Sequence, residues 1–348
     1  MLSYKFKLFI IIILHPLISV FYASHLNDSQ TFEESRKKVQ NVRILSIDSG
    51  GVRGVMPITV LNLIEKRTAQ PISKLFNMVG GTSVGSLITA LLTTPSDTDS
   101  SKQKWSAKKT GEILEILAED VLQLGHSWKS LYDANTLELY AKTLFGDSKF
   151  SDSITPAVSI TFDCFKLQPK IICSWNTDEI FKTSDVVLAS TALPIALEPR
   201  YISPVNSGSA HKKYFVADGF FGGAGNPTKI LLEKAKEYYP NAKTFEVVSL
   251  GSGTMKLATY SEVLNPYNVF LKIADIGINL ANAEPKDIQD AFSGHYTRIN
   301  PTVTKNGWAF DASAQNINHL IQDAKDYLQE DIKTEFDELI ERLLKPRD

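Results

Sequence analysis

Val79-Gly80-Gly81-Thr82-Ser83-Val84-Gly85-Ser86 is the stretch whose reading decides the fold. Its centre, Gly81-Thr82-Ser83-Val84-Gly85, fits G-x-S-x-G, the sharp strand-to-helix turn that lifts a serine hydroxyl above the edge of an α/β sheet. The apolar run Leu75-Phe76-Asn77-Met78-Val79 leads into the turn as a strand, and Ser86 to Leu92 leaves it as a buried helix. A serine hydroxyl alone is a weak nucleophile at neutral pH, so the motif calls for a base and for oxyanion donors elsewhere in the chain.

Toward the N-terminus, the short strand Val42 to Ile47 runs directly into Asp48-Ser49-Gly50-Gly51-Val52-Arg53-Gly54. A helix follows, with Val60, Leu61, Leu63 and Ile64 at helical spacing and Pro57 in its first turn. Strand, turn and helix thus occur twice within about fifty residues, which predicts an α/β fold with a parallel, helix-covered sheet. Further strands are expected at Ala157 to Phe162, Lys170 to Trp175, Tyr214 to Ala217 and Thr244 to Leu250, and helices around Asp185 to Ala192 and Lys229 to Tyr238. From Gln315 to Leu344 apolar residues keep a three-to-four spacing, the pattern of an amphipathic helical tail packed on the core. Pro95 to Gly111 is a polar insertion that reads as a solvated loop; Trp105 among its lysines leaves a lipid-surface contact open.

A chain of 348 residues with 43% hydrophobic content builds an ordinary packed core. The formal charge of -2 and the lack of a long basic run argue against nucleic acid as a partner. At the N-terminus Lys5 and Lys7 precede an apolar run from Leu8 to Ala23, the order of a secretory signal peptide cleaved near Ala23 or Ser24. The alternative is an uncleaved anchor, but the 16 residues of that run are interrupted by His15 and Pro16, and a spanning helix needs roughly 20. The organisation expected is a signal peptide over 1–24, a linker over 25–41, a catalytic domain over 42–330 and a helical tail over 331–348. Cys164 and Cys173 flank a possible hairpin turn that would set them opposite each other; a disulfide is conceivable there, although free thiols are the commoner outcome.

Three stretches bear on the chemistry. Of the six histidines, His15, His25 and His319 fall in the leader region and the terminal helix, leaving His126, His211 and His295. Ser83, Asp218 and His295 meet the Ser-Asp-His chain order of α/β-hydrolases. The other candidate base is Asp218 alone, which ends the strand Val216-Ala217 and enters the glycine-rich Gly219-Phe220-Phe221-Gly222-Gly223. Desolvation would strengthen such a carboxylate as a base, whereas the bland reading makes it the first residue of a D-G turn. In Ser49-Gly50-Gly51-Val52-Arg53-Gly54 adjacent glycines leave backbone amides open at a helix N-terminus, suited to an anion or a developing oxyanion. A dinucleotide fingerprint would need glycine at Ser49. Arg53 either balances negative charge there or ties the helix start to a neighbouring loop.

With these stretches together, the sequence resembles the patatin-like phospholipase family. Members carry a D-G-G-G-x-R-G loop, a G-T-S-T-G or related elbow and a later D-G-G or D-G-A, matched here by DSGGVRG, GTSVG and DGF in the same order. LASTALPIALEP, GNPT, VVSLGSGT, HYTRINP and FDASAQNINHLIQDAKDYL extend the resemblance from about Val42 to about Leu328. It implies a three-layer α/β/α fold with a mostly parallel sheet. It also implies hydrolysis of acyl esters in membrane lipids through an acyl-serine intermediate, without metal or cofactor, at a transient membrane surface. By the same resemblance Ser83 is the nucleophile and Asp218 its only side-chain base. Gly50 and Gly51 supply the oxyanion hole with Arg53 nearby, and Gly81 and Gly85 shape the elbow. Ser49 stands where the family has glycine, and Phe220 where it has a small residue after D-G. An inactive relative that binds lipid or a partner, and a Ser-Asp-His esterase, are the alternatives.

Overall fold

Val42, Ile44, Leu45 and Ile47 are all fully buried, on both faces of strand β1 (Asn41–Ile47). That is the pattern of a central strand covered by helices above and below, and it explains why, apart from Arg43 and Ser46, the apolar residues fall on both faces rather than alternating. The computed structural model describes residues 34, 36–122, 132–206, 212–255, 276–280, 288–304 and 307–347. The leader over 1–24, most of the linker, His126 and His211 lie outside the described residues.

Around β1 a sheet is ordered β5-β6-β3-β2-β1-β7-β9, with β4 also paired to β3. Its members are β2 (Met78–Thr82), β3 (Ala157–Asp163), β4 (Gln168–Cys173), β5 (Arg200–Ile202), β6 (Tyr214–Asp218), β7 (Thr244–Leu250) and β9 (Gly294–Ile299). Two short strands, β8 (Thr254–Met255) and β10 (Thr302–Val303), pair apart from it. Strands β3, β2, β1, β7 and β9 run parallel, whereas β4, β6 and β5 form an antiparallel wing. The mostly parallel sheet expected from the sequence is therefore present.

The join between wing and parallel core matters most. Strand β4 pairs with β3 from Val158 to Asp163, so β2 and β6 must share the opposite edge. Strand β2 runs along that edge until Thr82 lies opposite Ile160; β6 runs the other way and ends with Asp218 opposite Thr161. The two strands meet head-on, and the edge position after Thr82 is already taken by Asp218. Ser83 has to leave the sheet plane there, and it does so beside the aspartate.

Helices α1 (Val55–Thr68), α2 (Val84–Thr93), α3 (Ala107–Val121) and α4 (Ala134–Phe145) build one core layer against Leu45 and Ile47. On the other face α6 (Thr228–Tyr238) packs Leu231, Leu232 and Ala235 against Val42 and Ile44. Near the wing, α5 (Thr183–Ser190) contributes Val186 and Ala189 to a third cluster. The expected helical tail is two helices, α7 (Ala314–Asp326) and α8 (Lys333–Leu344), separated by a π turn over Tyr327–Asp331. Phe336, Leu339, Ile340 and Leu343 of α8 belong to the main core, each worth roughly 1.5–3 kcal/mol of burial. Arg43 on β1 donates to the carbonyls of Arg342 (2.9 Å), Leu343 (3.1 Å) and Lys345 (2.8 Å), capping the end of α8.

Three local expectations change. Strand β2 begins at Met78 rather than Leu75, because Ile72–Leu75 closes a helical turn. Helix α3 starts inside the stretch read as an insertion: Ser106 caps it by accepting from the Lys109 amide at 3.2 Å. Trp105 packs edge-on against Phe145 at 6.0 Å between ring centres, so its ring faces the core rather than a lipid surface. Cys164 and Cys173 do not face each other. Cys173 pairs with Val158 and Cys164 lies in the turn beyond Asp163, so about five strand residues, roughly 17 Å, separate them. Both are free, since a disulfide needs Cα atoms within about 7 Å.

Candidate active site

Ser83 sits between β2 and α2 with φ 57° and ψ -125°, a strained conformation for a residue with a side chain. The strain is held by tight packing. A Cβ on Gly81 would overlap the backbone of Gly85, and one on Gly85 would overlap the carbonyl of Ile47. Both glycines therefore let the elbow close against the end of β1. The Ser83 amide donates to Ser190 Oγ at 2.9 Å, and Ser190 donates in turn to the carbonyl of Ile160 at 2.6 Å. Thr82 Oγ1 donates to the Ala224 carbonyl at 2.7 Å, which ties the elbow to the loop after β6.

Asp218, 1% exposed, ends β6 and lines the same cleft as Ser83, whose hydroxyl is near enough to draw on its carboxylate. Its Oδ1 also accepts from the Phe220 amide at 2.8 Å. Burial pushes the carboxyl from its ordinary 3.8 up to about 7, against the lowering pull of the Ser83 hydroxyl and the Phe220 amide. A carboxylate poised near neutrality can both take and return a proton. The D-G turn is real as well, and it holds the carboxylate in place.

The third stretch forms a single turn of 3-10 helix over Gly51–Gly54 that continues into α1. Ser49 donates its amide to the Gly225 carbonyl at 2.8 Å, and Val52 donates to the Ala309 carbonyl at 2.8 Å. Among the described residues the amides of Gly50 and Gly51 between them donate to no protein acceptor. Gly51 adopts φ +56°, and a Cβ there would overlap the Ala309 carbonyl. Arg53 is fully buried but does not line the cleft: its Nε donates to the Gly307 carbonyl at 2.7 Å and its Nη1 to Asn279 Oδ1 at 3.1 Å. These contacts tie the helix start to neighbouring segments.

Ser49, Gly50, Gly51, Ser83 and Asp218 share one cleft of about 860 Å³, its open mouth included. Leu87, Leu114, Leu117, Val121, Leu137 and Leu197 make the remainder mainly apolar. Phe220 forms part of the wall, with its ring tip against Gly277, and leaves the carboxylate beside Ser83. His295 is absent from this constellation. It stands exposed near the start of β9, opposite Glu246, whereas the cleft lies at the far ends of the parallel strands. His319 lies on α7, outside the cleft lining. Sequence reasoning missed Ser190, which fixes the elbow amide, and Arg298, whose Nη2 lies 2.6 Å from Asp48 Oδ2. Both fall within LASTALPIALEP and HYTRINP, stretches that stood out only as family-like.

The family model described as Patatin-like phospholipase matches residues 45–232, a span holding the serine, the aspartate and the glycine loop. Patatin-like protein 2 of Oryza sativa subsp. indica is 27% identical over 63% of this chain and 63% of its own length. Patatin-like protein 1 of Arabidopsis thaliana is 28% identical over 62% of this chain and 59% of its own, and Patatin-T5 of Solanum tuberosum 26% over 61% of each. The chain thus spans under two thirds of the length of these relatives. Among solved structures, VipD from Legionella pneumophila aligns over 84% of this chain and 67% of that one at 10% identity, with a TM-score of 0.30. The family match extends over more than half of the chain and contains the elbow, the aspartate and the glycine loop: this chain belongs to the patatin-like phospholipase family.

Proposed function

We propose that this protein hydrolyses acyl esters of lipids with Ser83 as nucleophile and Asp218 as its base. The observation that carries the reading is the meeting of the two side chains at the head-on join of β2 and β6, on the floor of an apolar cleft. Ser83 Oγ attacks the ester carbonyl while Asp218 takes its proton. The amides of Gly50 and Gly51 receive the negative charge that develops on the carbonyl oxygen. Collapse of the tetrahedral intermediate breaks the ester C–O bond, and Asp218 gives its proton to the departing alkoxide. Water, deprotonated by the same carboxylate, then releases the acyl group from Ser83. Leu114, Leu117 and Val121 suit the acyl chain. No step calls for a metal or a cofactor.

A phospholipid or other acyl lipid is the proposed substrate, met at a transient membrane contact. Ile195 (55% exposed), Phe221 (61%) and Leu280 (72%) each lie within two positions of a residue lining the cleft, and they support that contact. Ile195 holds φ +75°, a strained setting for a β-branched residue. Export by the N-terminal segment is likewise proposed; Edman sequencing of protein recovered from culture medium would find Ser24 or His25 first, or an intact Met1 if the segment is retained.

Fluorophosphonate labelling tests the site directly. Wild type should label and hydrolyse p-nitrophenyl esters, and Ser83→Ala should do neither. Strong labelling of Ser83→Ala overturns the nucleophile. A folded wild type that never labels favours the inactive relative, and loss of activity in His295→Ala but not in Asp218→Asn favours the triad.

A further inference from the structure

We propose that Arg298 is a positioning residue for the oxyanion loop, acting through the buried carboxylate of Asp48; this rests on the reading that Gly50 and Gly51 receive the oxyanion. Asp48 follows the last residue of β1 and opens the loop, with its side chain fully buried. Arg298, two strands away on β9, bridges two groups at once. Its Nη2 donates to Asp48 Oδ2 at 2.6 Å and its Nη1 to Ser249 Oγ at 2.7 Å. Ser249 Oγ lies 2.8 Å from Thr228 Oγ1, which donates to Ser46 Oγ at 2.9 Å, so the fork is braced back onto β1 itself.

The rest of the loop is held from the same side. Ser252 Oγ donates to the Ser49 carbonyl at 2.6 Å, Ala309 accepts from Val52, and Gly307 accepts from Arg53. Arg298, Ser249, Ser252, Gly307 and Ala309 all lie beyond residue 232, outside the span matched by the family model. The C-terminal third of the chain therefore supplies the mould against which a loop from the N-terminal part is set.

A bonded charge pair in the interior is a weak source of stability, because desolvation offsets much of the attraction. What the Arg298 fork provides is direction. It fixes the Asp48 side chain, and with it the peptide planes that aim the next amides into the cleft. A displacement of about 1 Å at such donors costs on the order of 100-fold in rate. Lysine at 298 keeps the charge opposite Asp48 but lacks the planar fork that bonds Asp48 and Ser249 together.

Arg298→Gln, Arg298→Lys and Ser252→Ala are compared with wild type for kcat and KM on a soluble p-nitrophenyl ester. Backbone amide exchange over residues 49–54 is followed in parallel. The expected result is kcat lower by about 100-fold in Arg298→Gln and about tenfold in Arg298→Lys, with KM within about threefold and faster exchange in the loop. Should Arg298→Gln fail to fold, Arg298→Lys and Ser252→Ala carry the comparison. Folded Arg298 variants with kcat within about twofold of wild type and unchanged loop exchange overturn the inference while leaving the proposed hydrolysis intact. A wild type that hydrolyses no ester removes the reading of the site, and with it the positioning role, however the loop exchanges.

Discussion

Asp218→Asn separates stability from activity, because the structure asks one carboxylate to be buried and ionised at once. Burial raises Asp218 from 3.8 to about 7. A folded-state value above the unfolded one gives stability that is complete below the unfolded value and is lost as pH rises through the folded one. Above pH 7 the charge is held in the interior at a cost of ~4 kcal/mol, the free energy that corresponds to the rise from 3.8 to about 7. Asparagine has nearly the same shape, keeps an oxygen for the Phe220 amide and carries no charge. By urea unfolding, Asp218→Asn should be more stable than wild type by up to ~4 kcal/mol at pH 8 and by only ~2 kcal/mol at pH 5. Other buried acids, Asp48 among them, titrate in both proteins and cancel in the difference. Over the same range wild-type kcat/KM should rise with pH through about 7, and the variant should lose on the order of 10³-fold. A variant no more stable than wild type at pH 8, or a gap constant from pH 5 to pH 8, refutes the electrostatic argument. A variant that keeps a tenth of the activity refutes Asp218 as the base.

Ser83→Gly relieves the φ 57° strain and should raise stability by about 1 kcal/mol in urea unfolding while abolishing fluorophosphonate labelling; lower stability means that the elbow is not strained. Gly51→Ala brings a side chain to φ +56° and onto the Ala309 carbonyl. Stability should fall by about 1–2 kcal/mol and kcat by about 100-fold, and unchanged kcat in the folded variant argues against that amide as an oxyanion donor. Leu117→Phe narrows the apolar end of the cleft. It should lower kcat/KM for p-nitrophenyl palmitate about tenfold and leave the butyrate ester within about twofold; equal losses on both place the acyl chain elsewhere.

Much of the parallel core could be read from residues. Val42 to Ile47 is apolar on both faces because it is central, and G-x-S-x-G can be recognised because only glycines allow the elbow to close on the Ile47 carbonyl. Helix α3 was not read from the sequence: Ser106 caps it and Ile113, Leu114 and Leu117 bury its inner face, but the charged positions around them had the look of a loop. The hairpin was visible too, yet its register was not. Pairing Asp163 with Gln168 rather than Cys164 with Cys173 depends on which faces of β3 are buried, and that is a property of the sheet.

The sequence by itself determined the alternating strands and helices, the glycines that permit sharp turns, and the candidate residues Ser83, Asp218, Gly50 and Gly51. Local periodicity and backbone sterics suffice for the elements and turns, since they act over a few residues; the roles of Asp218, Gly50 and Gly51 came from the resemblance of their motifs to the patatin-like family. Only the tertiary structure decided that β6 runs against β2 on one edge of β3, so that the serine and aspartate meet end to end. It also decided that His295 stands at the opposite end of the sheet and that Asp48 is held by Arg298. Strand direction, register and burial arise from contacts between segments far apart in the chain, and the raised affinity of Asp218 for its proton exists only once those contacts have excluded water.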